Sequence, residues 1–172
     1  AMHAEAVGRP SPSRAVIDAA CDEIDSMLRG TTGPAAIHDR IREITWRRLG
    51  PVKTEASIAA ALEELDEIAP AIAFCGGAGR DAIRLGVEVR HMHTVAELVA
   101  RASLERRETR GCYWRVDHPT PDNEAQLHNI ILRKEKGGCE VTSQPPVWTE
   151  LTEPSPPRIG AGCFDYVVGE TL

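Results

Sequence analysis

The sequence is short of aromatic side chains: Phe, Trp and Tyr together make up 4% of its 172 residues. A core must therefore be assembled mainly from Ile, Leu, Val and Ala, and the 42% hydrophobic content is enough to supply one. Long apolar runs are missing, and none approaches the roughly 20 residues a membrane-spanning helix needs. No basic stretch followed by an apolar segment opens the chain, so no secretory leader is expected. Excess positive charge is lacking too. Twenty Lys and Arg stand against 26 Asp and Glu, a formal net charge of −6. That balance gives no general attraction to nucleic acid or anionic lipid. The five cysteines, at 21, 75, 112, 139 and 163, form no Cys-x-x-Cys pair. No zinc or iron–sulfur site is encoded locally, and the expectation is reduced, buried thiols in a cytoplasmic protein.

What is present is helical periodicity punctuated by Gly and Pro. Residues 1–12 read as a loose leader, Ala1 ahead of Met2 looking like a tag scar. After the start signal Ser11-Pro12-Ser13, Ile17, Ala20, Cys21, Ile24, Met27 and Leu28 recur at helical spacing up to Gly30. Pro34 suits the first turn of a second helix, striped by Ile37, Ile41, Ile44 and Leu49 and closed by Gly50-Pro51. Thr54 is a good N-cap for a third, whose buried face is Ile58, Ala61, Leu62, Leu65 and Ile68; Pro70 is expected to stop it. A short helical turn over 81–85 and a long helix over about 87–110 follow, the latter ended by Gly111. Residues 112–119 read as extended. Residues 127–135 and 139–143 read as a β-hairpin about Lys136-Gly137-Gly138. The expected fold is mainly α: an antiparallel bundle of three to four helices, then an extended arm and the hairpin, all within 13–147. Residues 148–172 form a proline-rich tail whose apolar patch, Phe164, Tyr166, Val167 and Val168, is expected to fold back or to dock on a partner.

Candidate chemistry is sparse. Gly77-Ala78-Gly79-Arg80-Asp81-Ala82 fits the Gly-x-Gly-x-x-Ala turn that holds a dinucleotide pyrophosphate. That function needs a strand ending at Cys75 and an uninterrupted helix after it, whereas Pro70 and Gly86 flank the motif; a glycine-rich connector fits better. His91 and His93 are too close in sequence to share one helical face as ligands, and Asp18, Asp22 and Asp25 read as a solvated face. No catalytic, cofactor-binding or metal-ligating residue is assigned. The densest polar stretch is Arg106-Arg107-Glu108-Thr109-Arg110-Gly111, running into Cys112-Tyr113-Trp114-Arg115-Val116-Asp117-His118-Pro119. Arginines at a helix end can satisfy its carbonyls or clamp carboxylates. Arg107, Glu108, Arg110, Arg115 and Asp117 are expected to form a polar junction between the long helix and the extended arm, and to serve as interdomain or partner contacts.

This stretch resembles the Arg-Lys-Glu-Ser-Arg-Gly-x-His-x-Arg-x-Asp-x-Pro signature of the C-terminal helical domain of succinate dehydrogenase, fumarate reductase and L-aspartate oxidase flavoproteins. The likeness continues through Pro121-Asp122-Asn123-Glu124, the strand from Leu127 to Arg133, and Gln144-Pro145-Pro146-Val147. Upstream, Ile41-Arg42-Glu43-Ile44-Thr45-Trp46 through Thr54, and Leu85-Gly86-Val87-Glu88 through Met92, are similar to the family's helices, so that residues 34–147 are covered. Cys112-Tyr113 stands where the family has a His, and Thr109 where it has a Ser. The resemblance implies a buttress domain or subunit without a self-contained active site. FAD would be bound by the parent flavoprotein and not by this chain alone, and the partner would be the FAD-binding domain or subunit of the same flavoenzyme. A stand-alone protein-interaction module and a small nucleotide-binding protein are the alternatives.

Overall fold

The computed structural model describes residues 11–135 and 138–147. The tail with its apolar patch, most of the leader, and Lys136 and Gly137 lie outside the described residues. Four helices come first: α1 (Arg14–Leu28), α2 (Pro34–Arg48), α3 (Glu55–Ala73) and α4 (Arg80–Glu105). A two-residue strand between α2 and α3, β1 (Val52–Lys53), pairs in parallel with another after α4, β2 (Trp114–Arg115); an antiparallel hairpin, β3 (Asn129–Glu135) with β4 (Gly138–Gln144), follows. No described helix is long and apolar enough to cross a membrane.

Local chemistry sets the helix starts. The Ser13 hydroxyl accepts from the Val16 N–H, capping α1. At α3, the Thr54 hydroxyl accepts from the Ser57 N–H at 3.1 Å while the Ser57 hydroxyl accepts from the Thr54 N–H at 3.0 Å. That reciprocal exchange satisfies two otherwise orphaned donors. Pro70 does not stop α3, which runs to Ala73. Only one turn follows it, and the Phe74 and Cys75 N–H groups close that turn on Ala71 and Ile72 at 3.2 and 3.1 Å. The fourth helix also departs from expectation. It begins at Arg80, takes in Gly86 without a break, and ends at Glu105, six residues before Gly111.

The described chain divides into two compact units. Among the described residues, unit 1 holds 11–43 and 65–95; unit 2 holds 44–64, 96–135 and 138–147. In unit 1 the buried side chains are Met27, Pro34, Ile37, Ile41, Leu65, Ile72, Cys75 and Val89. Its glycine connector is a tight fit: a Cβ on Gly76 would lie 2.0 Å from the Met27 carbonyl oxygen. The Gly76 N–H donates to the Thr32 carbonyl at 3.0 Å and the Gly77 N–H to that of Met27 at 2.9 Å. With residues 71–73 in α3 rather than a strand, and these N–H groups taken, the dinucleotide-binding alternative loses its geometry. The apolar stripe of α1 is left largely uncovered: among its residues only Met27 is buried.

Candidate functional site

Buried charge gathers in unit 2, where α4 ends and the chain turns back. Gly111 takes φ +59°, a left-handed conformation that costs a glycine little, and Arg110 and Tyr113 exchange backbone hydrogen bonds across the turn at 3.0 and 3.1 Å. The arm then lies along β1: the Trp114 N–H donates to Pro51 O and the Val116 N–H to Lys53 O. Two ion clusters hold it there.

Arg115 centres the first, with a side chain 0% exposed. Its Nη1 donates to the carbonyls of Ser103 (2.7 Å) and Arg106 (3.0 Å), acceptors without intrahelical donors where α4 stops. Its Nε and Nη2 grip the two oxygens of Asp117 at 2.8 and 2.7 Å, a bidentate fork. Asp117 Oδ2 also accepts from the Glu55 N–H at 2.8 Å, in the first turn of α3, where a carboxylate is favoured by the exposed N–H groups. Hydrogen bonding to Arg115 holds the Asp117 carboxyl well below the usual carboxylate range; the same bond raises Arg115. The Thr109 hydroxyl accepts from the Arg115 N–H at 2.9 Å and donates to the His118 carbonyl at 2.8 Å.

Glu108 centres the second, again 0% exposed. Its Oε1 accepts from Arg110 Nε (2.8 Å) and Arg106 Nη1 (3.1 Å); its Oε2 accepts from Arg110 Nη2 (2.8 Å) and the Asp122 N–H (2.9 Å). Burial alone would push this carboxyl up. The hydrogen bonds from Arg110 and Asp122, with the charges of Arg110 and Arg106, outweigh it and leave the group below its ordinary value. Arg106 also donates to the carbonyls of Gln126 and His128, which fixes the approach to β3. Lys53 completes the seam. Its Nζ sits 4.3 Å from the Tyr113 ring centroid, and burial, then the charge of Arg115, push its amine down.

Four of the five residues singled out from the sequence thus enter these clusters through their side chains. Arg107 does not: it is exposed, and among the described residues only its backbone N–H joins in, donating to Gln126 Oε1 at 3.1 Å. Arg106, Thr109, Tyr113 and Lys53 contribute without having been chosen. Tyr113 donates its phenol to Ser103 O at 2.8 Å. Glu55, Asp117 and His118 can bring ligand atoms within 4.8 Å of one another. Both Asp117 oxygens already accept from Arg115, so the carboxylate charge there is paired with a guanidinium that would repel a cation. An open hollow of about 480 Å³ lies beside the seam, bordered by Val99, Tyr113, Ile130 and the two arginines that bind Glu108.

Comparison with known proteins places this geometry in context. Residues 38–159 match the family described as fumarate reductase flavoprotein C-term. An uncharacterized FAD-dependent oxidoreductase of Methanocaldococcus jannaschii is 30% identical over 115 residues, covering 67% of this chain and 21% of that protein. A fumarate reductase (CoM/CoB) polypeptide of Methanothermobacter marburgensis is 27% identical over 127 residues, covering 70% of this chain and 23% of that protein. Among solved structures, the FrdA chain of E. coli quinol fumarate reductase superposes with a TM-score of 0.73 at 18% identity, over 85% of this chain and 27% of that one. The chain therefore spans less than a quarter of the length of these curated relatives.

Proposed function

The chain belongs to the family of fumarate reductase-type flavoprotein C-terminal domains, and from that premise we propose that it is the buttress of an FAD-dependent oxidoreductase, docked on the FAD-binding domain or subunit of the same enzyme. FAD is carried by that partner, and redox chemistry takes place there. One observation carries the reading. The charged groups of the seam close on one another and on helix-end carbonyls, so they act as a frame. Glu108 and Arg115 are enclosed by this chain and hold their neighbours in place. Arg107, Arg110 and Asp117 reach the surface and are offered to the partner; Arg110 and Asp117 have side chains 42% and 29% exposed. The compartment we assign is the cytoplasm, in keeping with four described cysteines that are all free thiols.

Replacing Arg107 and Arg110 together by Ala in the whole flavoenzyme tests this. FAD retention through gel filtration and the unfolding temperature should fall, while turnover per bound FAD stays unchanged. A drop in turnover of about a hundredfold with full FAD occupancy would put these groups in the chemistry and sink the buttress reading.

A further inference from the structure

Helix α1 is amphipathic, yet among the described residues most of its apolar face is uncovered. Val16 is 60% exposed, Ile17 and Ile24 45% each, and Leu28 44%. Ala20 and Cys21 are exposed as well. The helix is anchored along one edge only. Met27 is buried at 1%, and Glu23 receives Arg90 Nη1 at 3.1 Å. At 100° per residue, Ile17, Cys21, Ile24 and Leu28 fall within about 60° of one another, a seam one side chain wide and roughly 16 Å long. Asp18, Asp22 and Asp25 flank it on the side away from Met27. A strip of this kind is the usual face for another protein surface.

What covers it follows from the size of the relatives. This chain accounts for 21% and 23% of the curated proteins it matches, and its family is the C-terminal segment of such flavoproteins. The larger share of such an enzyme therefore precedes this domain. Helix α1 lies ahead of residue 38, where the family match begins, and so stands at the join with that preceding share. Resting on the buttress reading, we propose that the strip Ile17, Cys21, Ile24 and Leu28 docks on the FAD-binding part of the same flavoprotein, and is the apolar counterpart of the exposed arginines.

Cys21 is a native reporter in the middle of the strip, and Cys75, buried at 0%, is an internal control for folding. Maleimide labelling, read by peptide mass spectrometry, is compared in the isolated 172-residue chain and in the whole FAD-loaded flavoenzyme. Cys21 should react rapidly in the isolated chain and at least about tenfold more slowly in the whole enzyme, with Cys75 protected in both. Ile17→Ser with Ile24→Ser should restore Cys21 labelling in the whole enzyme and leave the unfolding temperature of the isolated chain unchanged. Equal Cys21 rates in the two preparations would overturn the proposal. So would protection in the isolated chain that grows with its concentration, since a second copy would then be the occupant. A whole enzyme that holds no FAD would instead overturn the buttress reading, whatever the labelling pattern.

Discussion

The two units bury different chemistry. In unit 1 the buried side chains are hydrocarbon or sulfur. In unit 2 Ile44, Ile58, Ala61, Ala96 and Ala100 share the interior with Lys53, Ser103, Glu108, Thr109 and Arg115, which are all the buried polar and charged residues among those described. Unit 1 is built from helices, whose backbone groups satisfy themselves. Unit 2 must also hold an arm whose only regular pairing is two residues long. So short a ladder cannot fix the path of the chain, and the guanidinium and carboxylate groups do it instead. The two clusters are mirror images in burial. Arg115 is enclosed while Asp117 reaches water; Glu108 is enclosed while Arg110 reaches water. Each enclosed ion has a bidentate counter-ion and two further hydrogen bonds or more, the kind of pairing under which a buried charge is tolerated.

Removing one partner breaks that condition, and the largest effects are expected there. Asp117→Ala or Arg110→Ala should destabilise the isolated chain by about 3–5 kcal/mol in urea unfolding, because the enclosed Arg115 or Glu108 loses its bidentate partner. Met27→Ala in unit 1 should cost about 2–4 kcal/mol through the cavity it leaves, and its cost should not vary between pH 4 and 8. Acid should separate the units further. Glu108 and Asp117 have carboxyls lowered by folding, so below about pH 4 the unfolded chain takes up protons that the folded chain resists. Their contribution is complete above about pH 5 and falls as pH drops through the carboxylate range. Glu108→Gln and Asp117→Asn should each flatten that acid limb, and an unchanged limb would contradict the assignment. Tyr113→Phe, which deletes the phenol's bond to Ser103 O at 2.8 Å and its longer one to Arg106 O at 3.5 Å, should cost about 1 kcal/mol. Arg107→Ala and Glu63→Ala, both at exposed positions, should stay within about 0.5 kcal/mol of wild type.

Much of this architecture is legible in the sequence where the local signal and the tertiary outcome agree. Ser13, Pro34 and Thr54 mark three helix starts, and the run Ile130-Ile131-Leu132 ahead of the glycines marks the hairpin. Periodicity cannot say whether an apolar stripe finds a cover, and α1 shows the consequence: it has the pattern of a core helix, with one buried residue. Pro70 misleads because its penalty falls on the carbonyl four residues back, which a final turn tolerates. Within the seam, the residue types Arg, Glu and Asp mark it out, but their partners do not show. Arg106 and Arg115 bind main-chain carbonyls of Ser103, Arg106, Gln126 and His128, acceptors that every residue carries and no composition reveals. Arg107, equal to Arg106 in type and adjacent to it, is exposed, a difference that residue type does not carry.

The claim beneath all of this is that the seam is complete within the chain. A double-mutant cycle on Arg115→Ala and Asp117→Ala, measured by equilibrium urea unfolding of the isolated 172 residues, addresses it directly. The two substitutions should be non-additive by about 1.5–3 kcal/mol, since each removes the same bidentate pair. Additivity within about 0.5 kcal/mol would mean that the pair does not hold the arm without its flavoprotein partner.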